Sequence, residues 1–166
     1  MRPFFQFAAV ALTAVLLTAC GFHLRGQANM PFKTLYLNAV NPGTLFVADL
    51  RRNLEANKVQ LVNSAEQADV ALNIIFEIAD KQILSLGGGG RVHEFRLIYR
   101  VSLRAYDLKQ QDWIPASEIE LRRDYTYDDT KVLAKEAEEA LLLQSMRSDM
   151  VQQIVRRLSR ASVQPK

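Results

Sequence analysis

The chain of 166 residues contains one cysteine, two histidines and one tryptophan. That scarcity removes whole classes of function. A single cysteine cannot close a disulfide within the chain or supply a thiolate metal set. His23 and His93 have no cysteine or second histidine near them, and no Ser-His-Asp grouping is suggested by spacing. No catalytic residue, no metal ligand and no cofactor is therefore assigned, and an enzyme is not expected. The glycine run Gly87 to Gly90 lacks a following Lys-Ser or Lys-Thr and lies between two strands, so it reads as a hairpin tip, not a phosphate loop. Charge of one sign is also lacking. The net charge is +3, with 21 basic and 18 acidic residues, too balanced for a strongly basic nucleic-acid binder.

Long apolar runs are absent after residue 20, and the one that precedes it is informative. It has a basic start at Arg2, an apolar core from Phe4 to Leu17 and small residues at Thr18 and Ala19, the pattern of a cleaved secretory signal. It is too short and badly flanked for a stable membrane span. Leu17-Thr18-Ala19-Cys20 resembles a bacterial lipobox, in which the cysteine is acylated and becomes the first mature residue. Residues 1–19 are expected to be removed, Cys20 to carry acyl chains including palmitate, and residues 20–30 to form a tether. Gly21 stands where an aspartate would favour retention in the inner membrane. The expected address is the outer membrane of a Gram-negative cell, lipid-anchored on the periplasmic side. The mature chain keeps 147 residues, enough for one well-packed domain, placed at 31–160, with 161–166 as a frayed tail.

Along that domain, Lys33 to Asn38 reads as a strand closed by the turn Asn41-Pro42-Gly43. Thr44 can cap a helix whose apolar stripe is Phe46, Val47, Leu50 and Leu54, with Asn57 as its stop. Val59 to Val62 reads as a short second strand. Apolar residues then alternate at Val70, Leu72, Ile74, Phe76 and Ile78, and again at Phe95, Leu97, Tyr99, Val101 and Leu103. A hairpin that puts both sets on one face pairs Ile74 with Val101, Phe76 with Tyr99 and Ile78 with Leu97, turning between Gly87 and Gly88. A third long strand is predicted to pair Leu103 with Ile119, Val101 with Leu121 and Leu97 with Tyr125. Asp128, Asp129 or Thr130 then caps a helix to about Ser159, with the stripe Leu133, Ala137, Ala140, Leu143, Met146, Met150, Ile154 and Leu158. The expected class is α+β: a two-layer sandwich, a mixed four- to five-stranded sheet with two helices packed on one face.

Cations carry what chemistry there is. Arg96, Arg100 and Arg104 fall on the sheet face opposite the apolar set, and the predicted register sets Arg104 against Glu118 and Arg100 against Arg122. The like-charge pair would be relieved by an anion. Arg91 lies at the hairpin tip. Lys131 and Lys135 stand at the start of the long helix, where the dipole disfavours them, and a lipid phosphate would supply a reason for them.

The run Cys20-Gly21-Phe22-His23-Leu24-Arg25-Gly26 is similar to the Cys-Gly-aromatic-His-Leu-Arg start of the lipopolysaccharide-assembly lipoproteins, the LptE or RlpB family. The element order and the stretch Leu133-Ala134-Lys135-Glu136 fit that family too, while the four-glycine tip departs from it. The resemblance implies a binding protein that plugs and helps assemble the outer-membrane β-barrel LptD and binds lipopolysaccharide for insertion into the outer leaflet. It implies lipopolysaccharide contact at Lys135, the family's basic position at the start of the last helix, and at Arg91; Lys131 and Arg100 complete the candidate set. The alternative is a structural envelope lipoprotein that contacts peptidoglycan or another envelope machine.

Overall fold

In the computed structural model the described residues are 29–162, so Cys20, the signal segment, most of the tether and the last four residues lie outside them. The chain runs β1 (Thr34–Ala39), α1 (Leu45–Ala56), β2 (Gln60–Val62), β3 (Val70–Leu86), β4 (Val92–Tyr106), β5 (Asp112–Thr126) and α2 (Val132–Ser159). The five strands form one mixed sheet in the order β2-β1-β3-β4-β5. β1 is parallel to both its neighbours, and β3, β4 and β5 form an antiparallel meander. Both helices pack on one face, as the α+β expectation requires. Phe46, Val47, Leu50 and Leu54 of α1 and Met146, Met150, Ile154 and Leu158 of α2 close over Leu35, Leu72, Leu97, Val101 and Leu103 of the sheet, all at most 1% exposed.

α1 begins and ends where its sequence says. The Thr44 hydroxyl accepts from the Val47 amide at 3.3 Å, and Asn57 closes the C-terminus. The same hydroxyl donates to Glu77 Oε2 at 2.7 Å, and the Tyr99 hydroxyl donates to the other carboxylate oxygen. Burial, and then the Glu77 carboxylate, push the Tyr99 phenol far above its usual range. Glu77 of β3 thus ties the start of the first helix to β4.

The hairpin register differs from the predicted one. Ile74 pairs with Leu103, and after a bulge at Ile75 the pairing runs Phe76 with Ser102, Glu77 with Val101 and Ile78 with Arg100. The extra residue reverses which side of β3 faces the helices. Glu77 and Lys81 now point toward the helix layer, while Ile78 lies on the open face, 41% exposed. The β4–β5 register is also shifted: Val101 pairs with Ile119, Arg100 with Glu120 and Ile98 with Arg122. The Arg100–Arg122 juxtaposition is therefore not formed. Arg100 Nη1 lies 3.9 Å from Glu118, and Arg104 pairs with Asp112 at 2.7 Å instead of with Glu118.

The stripe on α2 holds only in its second half. Leu133 is 83% exposed, and Ala137 and Ala140 are exposed too. Glu139 ties this half of the helix to the sheet. It accepts from Lys81 Nζ at 2.8 Å and from the Tyr125 hydroxyl at 2.6 Å. β1 flanks β3 only as far as Ile74, so from Ile75 onward β3 has no strand on that side. Among the described residues no helix is long and apolar enough to cross a membrane.

Candidate functional site

The end of the β3–β4 hairpin and the start of α2 meet around a cleft of about 580 Å³ lined by Gly87, Gly88, Arg91, His93, Thr126, Tyr127, Asp128, Asp129, Lys131 and Lys135. Glycine is required at the tip, because Gly89 and Gly90 have φ of 78° and 75°, which side chains resist. The tight turn is centred on Gly89 and closed by the Gly87 amide donating to the Arg91 carbonyl at 2.8 Å. The start of α2 is held next to it by the Tyr127 amide, which donates to the His93 carbonyl at 2.8 Å. Tyr127 packs edge-on against Phe95 with centroids 5.1 Å apart. Asp128 turns the chain into a 3-10 turn at Asp129–Lys131 by accepting from the Thr130 amide at 3.0 Å. Hydrogen bonds from the Thr130 hydroxyl and amide, with Lys131 behind them, hold the Asp128 carboxyl below the usual carboxylate range.

Three of the four expected cations come together here. Arg91 Nη1 lies 3.5 Å from Asp129, and Lys131 Nζ lies 3.7 Å from Asp128. Lys135 Nζ lies 2.8 Å from Glu138 and 3.4 Å from the Thr126 hydroxyl. The three differ in how firmly they are placed. The side chains of Arg91 and Lys131 are 77% and 69% exposed, whereas that of Lys135 is 16% exposed. Ion pairs as exposed as the first two contribute about 0–1 kcal/mol and exchange readily. An incoming phosphate can therefore displace Asp128 and Asp129 at small cost and meet an ammonium already oriented on the wall.

Arg100 does not join them. It lies nine residues up β4 from Arg91, about 30 Å at 3.3 Å per residue, on the open face of the sheet opposite Glu120. Sequence reasoning left His93, Thr126 and Tyr127 out of the site. Only the closing contact between the start of α2 and the hairpin brings them in, and no local pattern encodes it. Among the described residues no group of three or more His, Cys, Asp or Glu side chains could hold a metal. The cleft is suited to binding a polyanion through exchangeable ion pairs.

The family model described as LptE, lipopolysaccharide-assembly, matches residues 32–158. The chain is 30% identical over 156 residues to the LPS-assembly lipoprotein LptE of Pectobacterium atrosepticum, covering 92% of this chain and 84% of that one. It is 32% identical over 149 residues to the protein of that name from Yersinia pestis, covering 87% and 71%. Among solved structures it resembles an uncharacterized lipoprotein B from Nitrosomonas europaea, with TM-score 0.72, 39% identity and coverage of 84% and 90%. It also resembles the rare lipoprotein B from Shewanella oneidensis, with TM-score 0.67, 29% identity and coverage of 75% and 92%.

Proposed function

Because this chain belongs to the LptE family of lipopolysaccharide-assembly proteins, we propose that it binds lipopolysaccharide at the hairpin-tip cleft and acts as the plug and assembly partner of an LptD-type outer-membrane β-barrel. Acylated Cys20 anchors it to the periplasmic side of the outer membrane. The observation that carries the reading is the gathering of Arg91, Lys131 and Lys135 in one cleft from two separate segments. Phosphorylated sugars of the lipid A kind present several negative charges on a rigid headgroup. A cleft with one pre-oriented ammonium and two exchangeable cations matches that pattern. Lys135 is the primary contact, Arg91 and Lys131 the adjustable ones, and Arg100 stands apart as a face residue.

Two measurements test this. Lys135→Glu with Arg91→Glu is expected to weaken lipopolysaccharide binding by the two to three kcal/mol, roughly, that charge-assisted contacts supply, with thermal stability nearly unchanged. Unaltered binding by the double variant overturns the site. Affinity purification of the tagged, acylated protein from detergent-solubilised outer membrane is expected to bring down a stoichiometric large β-barrel. Recovery of the protein alone, from a strain that contains such a barrel, overturns the plug role.

A further inference from the structure

The other end of the domain holds a second basic cleft, of about 670 Å³, lined by Trp113, Ile114, Pro115, Gln153, Arg156, Arg157, Arg160, Ala161 and Ser162. It differs from the tip in one decisive respect. The tip cations are each paired with a carboxylate, whereas among the described residues no acidic side chain lines this cleft. Arg156, Arg157 and Arg160 form no ion pair with any described carboxylate. Among the described residues the only polar partner of the Arg157 guanidinium is the Ser117 hydroxyl, at 3.5 Å. The indole Nε1 of Trp113, on the cleft wall, is buried and has no acceptor among the described residues. A helix C-terminus by itself favours cations in its last turn. It explains neither a cleft with only positive charge nor an indole N–H left without an acceptor, which is costly. A phosphate in the cleft would answer the uncompensated guanidinium charge.

The position of the chain's entry says where that phosphate comes from. Phe32 packs edge-on against Trp113 with centroids 5.8 Å apart, and Met30 packs against the core. The described chain therefore begins beside Trp113, which this cleft shares with a neighbouring one lined by Pro31 and Phe32, and the ten residue steps from Cys20 to Met30 reach at most about 35 Å. We propose that the Arg156–Arg157–Arg160–Trp113 cleft binds the phosphate of an anionic phospholipid headgroup in the leaflet that holds the Cys20 anchor. The proposal rests on the anchored reading above. An anchor that keeps the cleft within that reach of the surface makes a weak headgroup site effective. Trp113 belongs where an aromatic with an apolar body and one donor settles, at the headgroup layer.

Trp113 is the only tryptophan in the chain, so its fluorescence reports on this end of the domain, and the arginine variants assign the signal to this cleft. The full-length acylated protein is bound to vesicles of phosphatidylcholine, with and without phosphatidylglycerol, and Trp113 emission and acrylamide quenching are followed. Flotation with pure phosphatidylcholine vesicles reports the anchor. Its absence would overturn the anchored reading without touching the cleft. Given flotation, phosphatidylglycerol is expected to shift the emission to the blue and to protect Trp113 from acrylamide. Arg156→Glu with Arg160→Glu is expected to weaken that response by at least about 25-fold, at about fivefold per basic residue lost near an anionic surface. Arg91→Glu with Lys135→Glu is expected to leave it intact. Equal Trp113 signals on the two vesicle types, or a full response in Arg156→Glu with Arg160→Glu, would overturn the proposal. So would the same response on phosphatidylcholine vesicles to inorganic phosphate alone, which would assign the cleft to a free anion, or to lipopolysaccharide alone, which would assign it to the cargo.

Discussion

The first half of α2 is held to the sheet chiefly by one carboxylate, and removing it should open that half alone. Glu139 accepts from Tyr125, a residue 5% exposed, and from Lys81, whose side chain is 42% exposed. In Glu139→Ala the Tyr125 hydroxyl loses its acceptor, at about 1–3 kcal/mol, and the partly exposed Lys81 tie adds at most about 1 kcal/mol. Val132, Leu133 and Leu141 on this half are 40%, 83% and 67% exposed, whereas Met146, Met150, Ile154 and Leu158 further along are fully buried. The loss therefore falls on residues 132–141 while the second half keeps its packing. Native-state hydrogen exchange reads this directly. A local loss of about 2 kcal/mol should speed exchange of those amides about 30-fold and leave amides from Met146 to Leu158 unchanged. Glu138→Ala is the control, because its partner Lys135 has a second contact in Thr126 and the carboxylate is 45% exposed. Exchange that stays unchanged in 132–141, or that rises uniformly along α2, would refute the reasoning. The same carboxylate predicts a pH dependence. Burial raises the Glu139 pKa, but hydrogen bonds from Lys81 and Tyr125 and the Lys81 charge outweigh it, so it lies below its usual 4.5. The tie is then complete above about pH 4.5 and is lost as pH falls through the lower folded value. Protection of 132–141 should weaken on acidification in the native protein and not in Glu139→Gln.

Other expectations follow from single contacts. Thr44→Ala removes the α1 cap and one donor to Glu77; it should cost about 1–2 kcal/mol in denaturant unfolding, and a loss under 0.3 kcal/mol, roughly, would contradict the cap's role. Leu158→Ala, at a fully buried position, should cost about 2–5 kcal/mol, while Leu133→Ala, on the same predicted stripe but 83% exposed, should stay within about 0.5 kcal/mol. Similar losses for the two would mean that the stripe packs along its whole length. The Asp69 carboxylate accepts from the Thr34 and Lys33 amides, each at 2.9 Å, and these bonds hold its pKa below 3.8. Its contribution is present above about pH 4 and lost below, so Asp69→Asn should lower stability at neutral pH and flatten the acid limb of a stability–pH curve.

Much of this architecture is legible in the chain, and the failures have identifiable causes. Helix α1 is readable because its signals are local: Thr44 before an apolar stripe, Asn57 after it. The long hairpin is readable from alternation and a glycine tip. Its register is not, because Ile74-Ile75-Phe76 is apolar on both parities and hides the bulge that turns β3 over. Once the strand is reversed, Glu77 lies on the helix side with Thr44 and Tyr99, a half-buried carboxylate that alternation assigns to the open face. The stripe on α2 runs unbroken in sequence through Leu133, Ala137 and Ala140, yet the sheet offers Lys81 and Tyr125 there instead of an apolar surface. In the candidate cleft, Arg91, Lys131 and Lys135 were each identifiable as cations near a turn or helix start. Their convergence depends on the Tyr127–His93 backbone contact, which joins segments far apart in sequence. Arg100 lies on the open face as expected, but a separate shift between β4 and β5 changes its partner, and the expected clash with Arg122 vanishes because Glu120 stands opposite.

The 17 residues of β3 give the domain a length that matters in its own right. At 3.3 Å per residue they extend for about 55 Å, while a bilayer with its headgroup regions is about 40–45 Å thick. A body standing upright with Trp113 among the headgroups of one leaflet would hold Gly89 level with the opposite leaflet. The hairpin is then a measured span, and shortening β3 and β4 by matched pairs of residues would withdraw the cationic tip from its leaflet by about 7 Å per pair from each strand while leaving the two-helix core untouched.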